Sequence, residues 1–174
     1  AYTMVELQKP ARSSLADDNR LDRLDFLLDK VETGALGDTV LEAKKFAKTI
    51  GIDVGDVGGA EAGRAIARQM ALELRNPSGG AGMPGAMSDS DREFLISMTP
   101  SLSTTKEGRK QIIETRKKIN KRSRDVAKMA GVYEKKHGKL DTGFDEELAA
   151  WANENPLFPK AEPKAASQRI IVDW

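Results

Sequence analysis

Residues 80–85 read GAGMPG, a letter-for-letter match to the G-x-G-x-x-G turn that cradles a dinucleotide pyrophosphate. In that role a buried strand runs into the glycines and a helix leaves them, so that phosphate meets free backbone N–H groups at a positive helix end. Neither flank fits. A helical pattern precedes the glycines and is closed by Arg75-Asn76-Pro77. Pro84 removes a backbone donor where phosphate needs one, and Asp89 and Asp91 place negative charge at the start of the next helix. No Lys-Ser/Thr follows, so a Walker loop is excluded as well. The stretch reads as a turned connector between helices, its glycines permitting close backbone approach.

Other residues capable of chemistry lack the setting it requires. Asp17/Asp18, Asp89/Asp91 and Glu146/Glu147 are carboxylate pairs, but each falls in a first helical turn or on a polar face. General acid–base work needs one carboxyl of a pair buried and raised in pKa. The single histidine, His137, precedes Gly138 at a helix end, where a cation complements the dipole. With no cysteine at all, thiolate catalysis, disulfides and cysteine-ligated metals are excluded together, which suits a soluble protein needing no oxidising compartment. No G-x-S-x-G frames a serine. No catalytic, cofactor or metal residue is therefore assigned, and neither an enzymatic role nor a small-molecule substrate is expected.

Charge carries more information. Of 174 residues 32% are charged and only 5% aromatic, against 39% hydrophobic, so the core must be lean and aliphatic. Between Lys106 and Lys139 stand 13 Lys and Arg against 4 Asp and Glu, a net +9 within a chain whose total is +1; the remainder is −8. The run RKKINKRSRDVAK, from Arg116 to Lys128, has Asp125 as its only acid. Such a surface attracts phosphate backbones without regard to base sequence, through Arg116, Lys117, Lys118, Lys121, Arg122 and Arg124. No aromatic residue interleaves to stack bases. The competing account is charge pairing, within the fold or between copies, with the acidic set Asp17, Asp18, Asp22, Asp25, Asp29 and Glu32.

The elements that must position these residues are helical throughout. Residues 1–13 show no period and contain Pro10, and are expected to form an extended arm. From Ser14, with Ser13 or Ser14 as N-cap, Leu21, Leu24, Leu27, Leu28 and Val31 mark a helix that Thr33-Gly34 stops. A second helix runs from about Thr39 to Ile50 and a third from about Ala60 to Arg75, the latter with Ala62, Ile66, Met70 and Leu74 spaced by four. A short helix over about Ser90–Met98 opens on the capping box Ser90/Glu93.

The longest element, about Thr105–His137 from a Thr104/Glu107 box, would extend about 50 Å. Ile112, Ile119, Val126 and Tyr133 recur along it every seven residues, a narrow seam that must lie on other helices or on another subunit. A last helix covers about Gly143–Glu154, and residues 156–174 read as an extended tail ending in the apolar RIIVDW. The expected fold is all-α: a helical bundle over 14–155 with one long polar helix and extended N- and C-terminal arms.

The block from Arg75 to Gly108 resembles a segment of virion-associated proteins of tailed bacteriophages. The matching residues are Arg75, Asn76, Pro77, Gly80, Gly82, Pro84, Gly85, Ser88, Asp89, Asp91, Phe94 and Leu95, then Pro100, Leu102, Thr105, Glu107 and Gly108. The similarity spans roughly residues 35 to 158. Those proteins are internal virion, DNA-ejection or head–tail and tail-associated components, often with a long low-complexity part ahead of the segment, which this chain lacks. The resemblance implies a structural role in a virion, made in the host cytoplasm, in several copies that contact one another and other virion proteins. It supplies no catalytic residue. Contacts are expected along the seam Ile112, Ile119, Val126 and Tyr133 and at the tail through Ile170, Ile171, Val172 and Trp174, the tail suiting a partner groove. The alternative is a nucleic-acid-binding helical module that contacts DNA phosphates non-specifically through the basic face.

Overall fold

A computed structural model describes residues 2–34, 37–75, 86–98 and 100–158. Among the described residues six α-helices follow in order: α1 (Met4–Glu32), α2 (Gly37–Thr49), α3 (Gly59–Leu74), α4 (Asp89–Ser97), α5 (Lys106–His137) and α6 (Thr142–Glu154). A 3-10 helix, Pro100–Thr104, precedes α5, and no strand occurs among the described residues, so the chain is all-α as expected. At 1.5 Å rise per residue α1 and α5 each extend roughly 45 Å. They lie antiparallel, Asp29 meeting Arg109 near one end and Ser14 meeting Arg124 farther along.

The N-terminal segment departs from expectation. Residues 4–13 are helical, and the N-cap is Thr3, neither Ser13 nor Ser14. Thr3 and Glu6 form a reciprocal capping box: the Glu6 N–H donates to Thr3 Oγ1 at 3.3 Å and the Thr3 N–H donates to Glu6 Oε2 at 2.8 Å. Pro10 sits inside the helix at a cost of about 3 kcal/mol. What holds these turns is Leu7, fully buried against Val126, Ala130, Phe144 and Leu148. Leu7, Ser14, Leu21 and Leu28 are all buried at seven-residue intervals, so one stripe of α1 faces the core from end to end.

Two apolar clusters sit along the α1–α5 pair. The larger gathers Leu21, Leu24, Leu28 and Val31 of α1 with Ala43 and Ala47 of α2, Ile66 and Met70 of α3, Leu95 of α4 and Ile112, Ile113 and Ile119 of α5. The smaller surrounds Leu7 and Val126 with Phe144 and Leu148 of α6. The alanine-rich face of α3 permits a close approach: a Cβ on Gly63 would touch Val31 and Leu28 side chains at 3.4 and 3.5 Å. Helix α2 ends in a Schellman motif, with Gly51 at φ +87°, its N–H on the Lys48 carbonyl and the Ile52 N–H on the Ala47 carbonyl.

Two further caps differ from expectation. Helix α4 opens on a Ser88/Asp91 box, one that overlaps the Ser90/Glu93 alternative in the sequence. Thr105, not Thr104, caps α5, accepting from the Gly108 N–H at 3.0 Å. The 3-10 helix then folds back onto the first turn of α5 so tightly that a Cβ on Gly108 would lie 1.9 Å from the Leu102 carbonyl oxygen. That position admits hydrogen only. Gly131, inside the C-terminal part of α5, has nothing within 4 Å of the equivalent point. Gly108→Ala is expected to destabilise the chain by about 1–3 kcal/mol or more, as overpacking does. Gly131→Ala is expected to stabilise it by about 0.5–1 kcal/mol through helix propensity. Urea unfolding followed by circular dichroism measures both, and equal midpoints for the two variants would contradict the contact geometry.

Candidate interaction surfaces

The acidic edge of α1 and the basic edge of α5 form an interhelical ladder. Arg109, whose side chain is 4% exposed, reaches three carboxylates: Asp25, Asp29 and, at 3.0 Å, Glu32. Lys110 donates to Asp25 at 2.8 Å and Lys117 to Asp22 at 2.8 Å. Those hydrogen bonds raise both ammonium pKa values above their ordinary range, against the opposing pull of burial. Asn120 bridges Asp17 and Asp18 at 2.9 and 2.8 Å, and Arg124 spans Ser14 and Asp18 at 2.9 and 3.1 Å. Arg116 reaches from Asp17 to Glu73 of α3, and its Nη2 donates to the Ile50 carbonyl at 3.1 Å. Burial pushes the Glu73 carboxyl up, with Arg116 opposing the shift.

A second network fixes the chain where it leaves α6. Asp91 is wholly buried, and its two oxygens accept N–H groups from Phe158 at 2.8 Å, Leu157 at 3.0 Å and Ser88 at 3.3 Å. Arg122, also buried, donates to the Ala86 carbonyl at 2.9 Å and to the Asn155 carbonyl, with its guanidinium 4.5 Å over the Trp151 ring. Burial lowers the Arg122 pKa, while Asp91 and Asp125 act to raise it. Phe158 stacks on Phe94 with ring centroids 4.2 Å apart. Residues 155–158 are thereby clasped between α4, α5 and α6. The chemistry is that of an internal cap: a carboxylate takes the N–H groups and a guanidinium the carbonyls of a segment that makes no regular structure.

The turn between α5 and α6 is tied similarly. Gly138, at φ +80°, ends α5, and Asp141 caps α6 by accepting the Gly143 N–H at 3.0 Å. Asp141 also accepts the Tyr133 hydroxyl at 2.7 Å, which pushes the phenol up to about 12 and holds the carboxyl below its usual range. The Tyr133 ring stacks on His137 at 4.2 Å and tilts against Phe144.

The sequence-derived candidates separate accordingly. Ile112, Ile119 and Val126 are buried against the chain's own helices, and Tyr133 packs against that same interior. The seam expected to make contacts between copies is therefore core here, because α1 together with α3 and α6 covers it. Of the six basic candidates, Arg116, Lys117 and Arg124 are bound to acids of α1, and Arg122 is enclosed in the clasp. Lys118 and Lys121 face outward, the first 5.7 Å over Phe158 and the second paired with Asp125 at 3.0 Å. The tail candidates Ile170, Ile171, Val172 and Trp174, like the glycines of residues 80–85, lie outside the described residues. Among the described residues no group of three or more His, Asp and Glu is placed to hold a metal, and no helix is long and apolar enough to cross a membrane. Asp91 and Arg109, which organise the two networks, were not singled out by sequence reasoning as sites. Comparison with protein-family models, with curated proteins and with solved structures gives no match.

Two measurements address these networks. Asp91→Asn leaves a buried N–H facing an amide N–H₂, a loss of about 1–3 kcal/mol. Amide hydrogen exchange at Leu157 and Phe158 is expected to accelerate at least tenfold, with α1 and α5 protection retained; unchanged exchange at 157 and 158 would remove the clasp from the description. In a Tyr2→Phe background, absorbance at 295 nm is expected to follow Tyr133 ionising near 12, and Asp141→Asn to bring it back toward 10. The sign is fixed by the raised phenol. The tie is complete below pH 10 and lost as pH rises through about 12. On the carboxylate side, the depressed Asp141 loses its contribution as pH falls through its lowered value.

Proposed function

We propose that the chain is a structural component of a tailed-phage virion, an ejection or head–tail-associated protein acting by assembly in several copies. The observation that carries this reading is what the phage-like block does in the fold. Ser88 and Asp91 open α4 and hold residues 157–158, and Phe94 stacks on Phe158. Thr105 caps α5, and Gly108 admits the Leu102 carbonyl against it. The block that resembles virion proteins thus builds a joint and a clasped exit, parts that suit a scaffold. No step of bond chemistry is assigned to any of them.

With the α5 seam inside the chain, the contacts between copies fall to the C-terminal residues, where Ile170, Ile171, Val172 and Trp174 follow the anchor at Phe158. An apolar peptide tethered at a fixed point suits a groove or an added strand on a neighbour. Light scattering of the purified chain across protein concentration is expected to give a defined oligomer. Ile171→Asp is expected to return it to the mass of one chain with its helical signal intact. A monomer at every concentration, or an oligomer indifferent to Ile171→Asp, overturns this assignment.

A further inference from the structure

The cations of α5 divide by pairing. Those that reach the acids of α1 are matched, whereas Lys118, Lys121, Lys128, Lys135 and Lys136 are all exposed and form no ion pair with α1. Lys121, Lys128 and Lys135 recur at seven-residue intervals and therefore form one stripe, with Lys118 and Lys136 beside it. Among the described residues no carboxylate forms an ion pair with Lys128, Lys135 or Lys136. Lys121 has only its exposed partner Asp125, a contact of the kind worth a few tenths of a kcal/mol. From Lys118 to Lys136 the stripe extends roughly 27 Å.

The composition of this stripe selects its partner. Protein interfaces deplete lysine and centre on buried aromatic or arginine anchors. Among the described residues the ring nearest this stripe, Phe158 under Lys118, is itself buried, and the one large exposed apolar residue of α5 is Val132, 62% exposed. Single-stranded nucleic acid would want rings to stack on. Lysine is a compact, hydrated point charge suited to phosphate. Duplex DNA offers one negative charge per about 1.7 Å of axis, so a straight row of that length always finds phosphates in reach.

We propose that this outer lysine stripe of α5 binds the phosphate backbone of duplex DNA without sequence preference. The surface differs from the one its sequence suggests, since Arg116, Lys117, Arg122 and Arg124 are engaged within the fold and take no part. It is independent of the assembly reading, and either can fail alone.

The test is fluorescence anisotropy of the full chain with a labelled 30-base-pair duplex between 50 and 200 mM salt. Five lysines on phosphates give a slope of log affinity against log salt of about −4.5. Replacing Lys118, Lys121, Lys128, Lys135 and Lys136 together with Gln is expected to reduce affinity at least tenfold at low salt while leaving the melting temperature nearly unchanged. Arg116→Gln with Arg124→Gln is expected to do the reverse, lowering the melting temperature and keeping the affinity. The proposal is overturned by a five-lysine variant that binds like the parent, or by no binding at 50 mM salt. It is overturned equally if polyglutamate displaces the chain as well as duplex of equal charge, which would mark an acidic protein as the partner.

Discussion

The antiparallel contact between α1 and α5 is the constraint on which the rest of the molecule depends. Neither helix is apolar enough to be buried alone: α5 carries a single narrow stripe, and α1 is studded with acids. Pressed together, Leu7, Leu21, Leu24 and Leu28 bury Ile112, Ile119, Val126 and Ala130, and the flanking charges fall opposite partners of the other sign. The apolar contact supplies most of the free energy, since burying a leucine or isoleucine contributes about 1.5–3 kcal/mol. The exposed ion pairs contribute at most about 1 kcal/mol each. Their effect is on register. Arg109 sits nearly buried among three carboxylates, and sliding the helices by one turn would strand that guanidinium without them. A charge left buried and unpaired costs several kcal/mol, so the ladder excludes alternatives more than it strengthens the native pairing.

Once this pair exists, the remaining elements are attached at its two ends by short-range devices. At one end α2 and α3 close the larger cluster, and Gly108 lets the 3-10 helix lie directly on α5. At the other, α6 covers Leu7 and Val126, and Asp141 secures the turn that brings it there. The Asp91–Arg122 clasp links the two ends, because it draws residues after α6 back onto α4, and Phe158 thereby joins the larger cluster. A buried carboxylate and a buried guanidinium stay tolerable there because each has backbone partners, three N–H groups on Asp91 and two carbonyls on Arg122.

Much of this was legible in the sequence. The helical periods of Ala62, Ile66, Met70 and Leu74 and of Ile112, Ile119 and Val126 placed α3 and α5 within a residue or two, and Gly51 and Gly138 marked the ends where positive φ was needed. The failures have particular causes. Pro10, and the Ser14 that interrupts the heptad joining Leu7 to Leu21, make nearly three turns of α1 read as an arm, although Thr3-x-x-Glu6 spells a capping box. Ser88/Asp91 and Ser90/Glu93 are equivalent as letters, and tertiary contact decided between them: Asp91 is needed by the N–H groups of Leu157 and Phe158, sixty-six and sixty-seven residues away. For Arg122 a signal did exist. It lies three residues after Ile119 and four before Val126, on the buried stripe of its own helix, and only its charge suggested the surface.

The distinction between sequence charge and surface charge follows from the same geometry. A segment with a net +9 need not present a field of that strength, because a helix distributes its residues around a circle and its neighbours neutralise one arc at a time. Arg109, Lys110, Arg116, Lys117 and Arg124 fall within the arc that α1 covers, and its aspartates cancel them. Arg122 points into the clasp. What survives outside is a row of lysines, the cation that water solvates best and that needs no fixed partner. The four arginines of this helix, whose planar forks favour defined partners, are all engaged within the fold, with Lys110 and Lys117 beside them. This sorting is what a helix must do if some of its cations are to hold a fold in register while others remain unpaired and open to solvent.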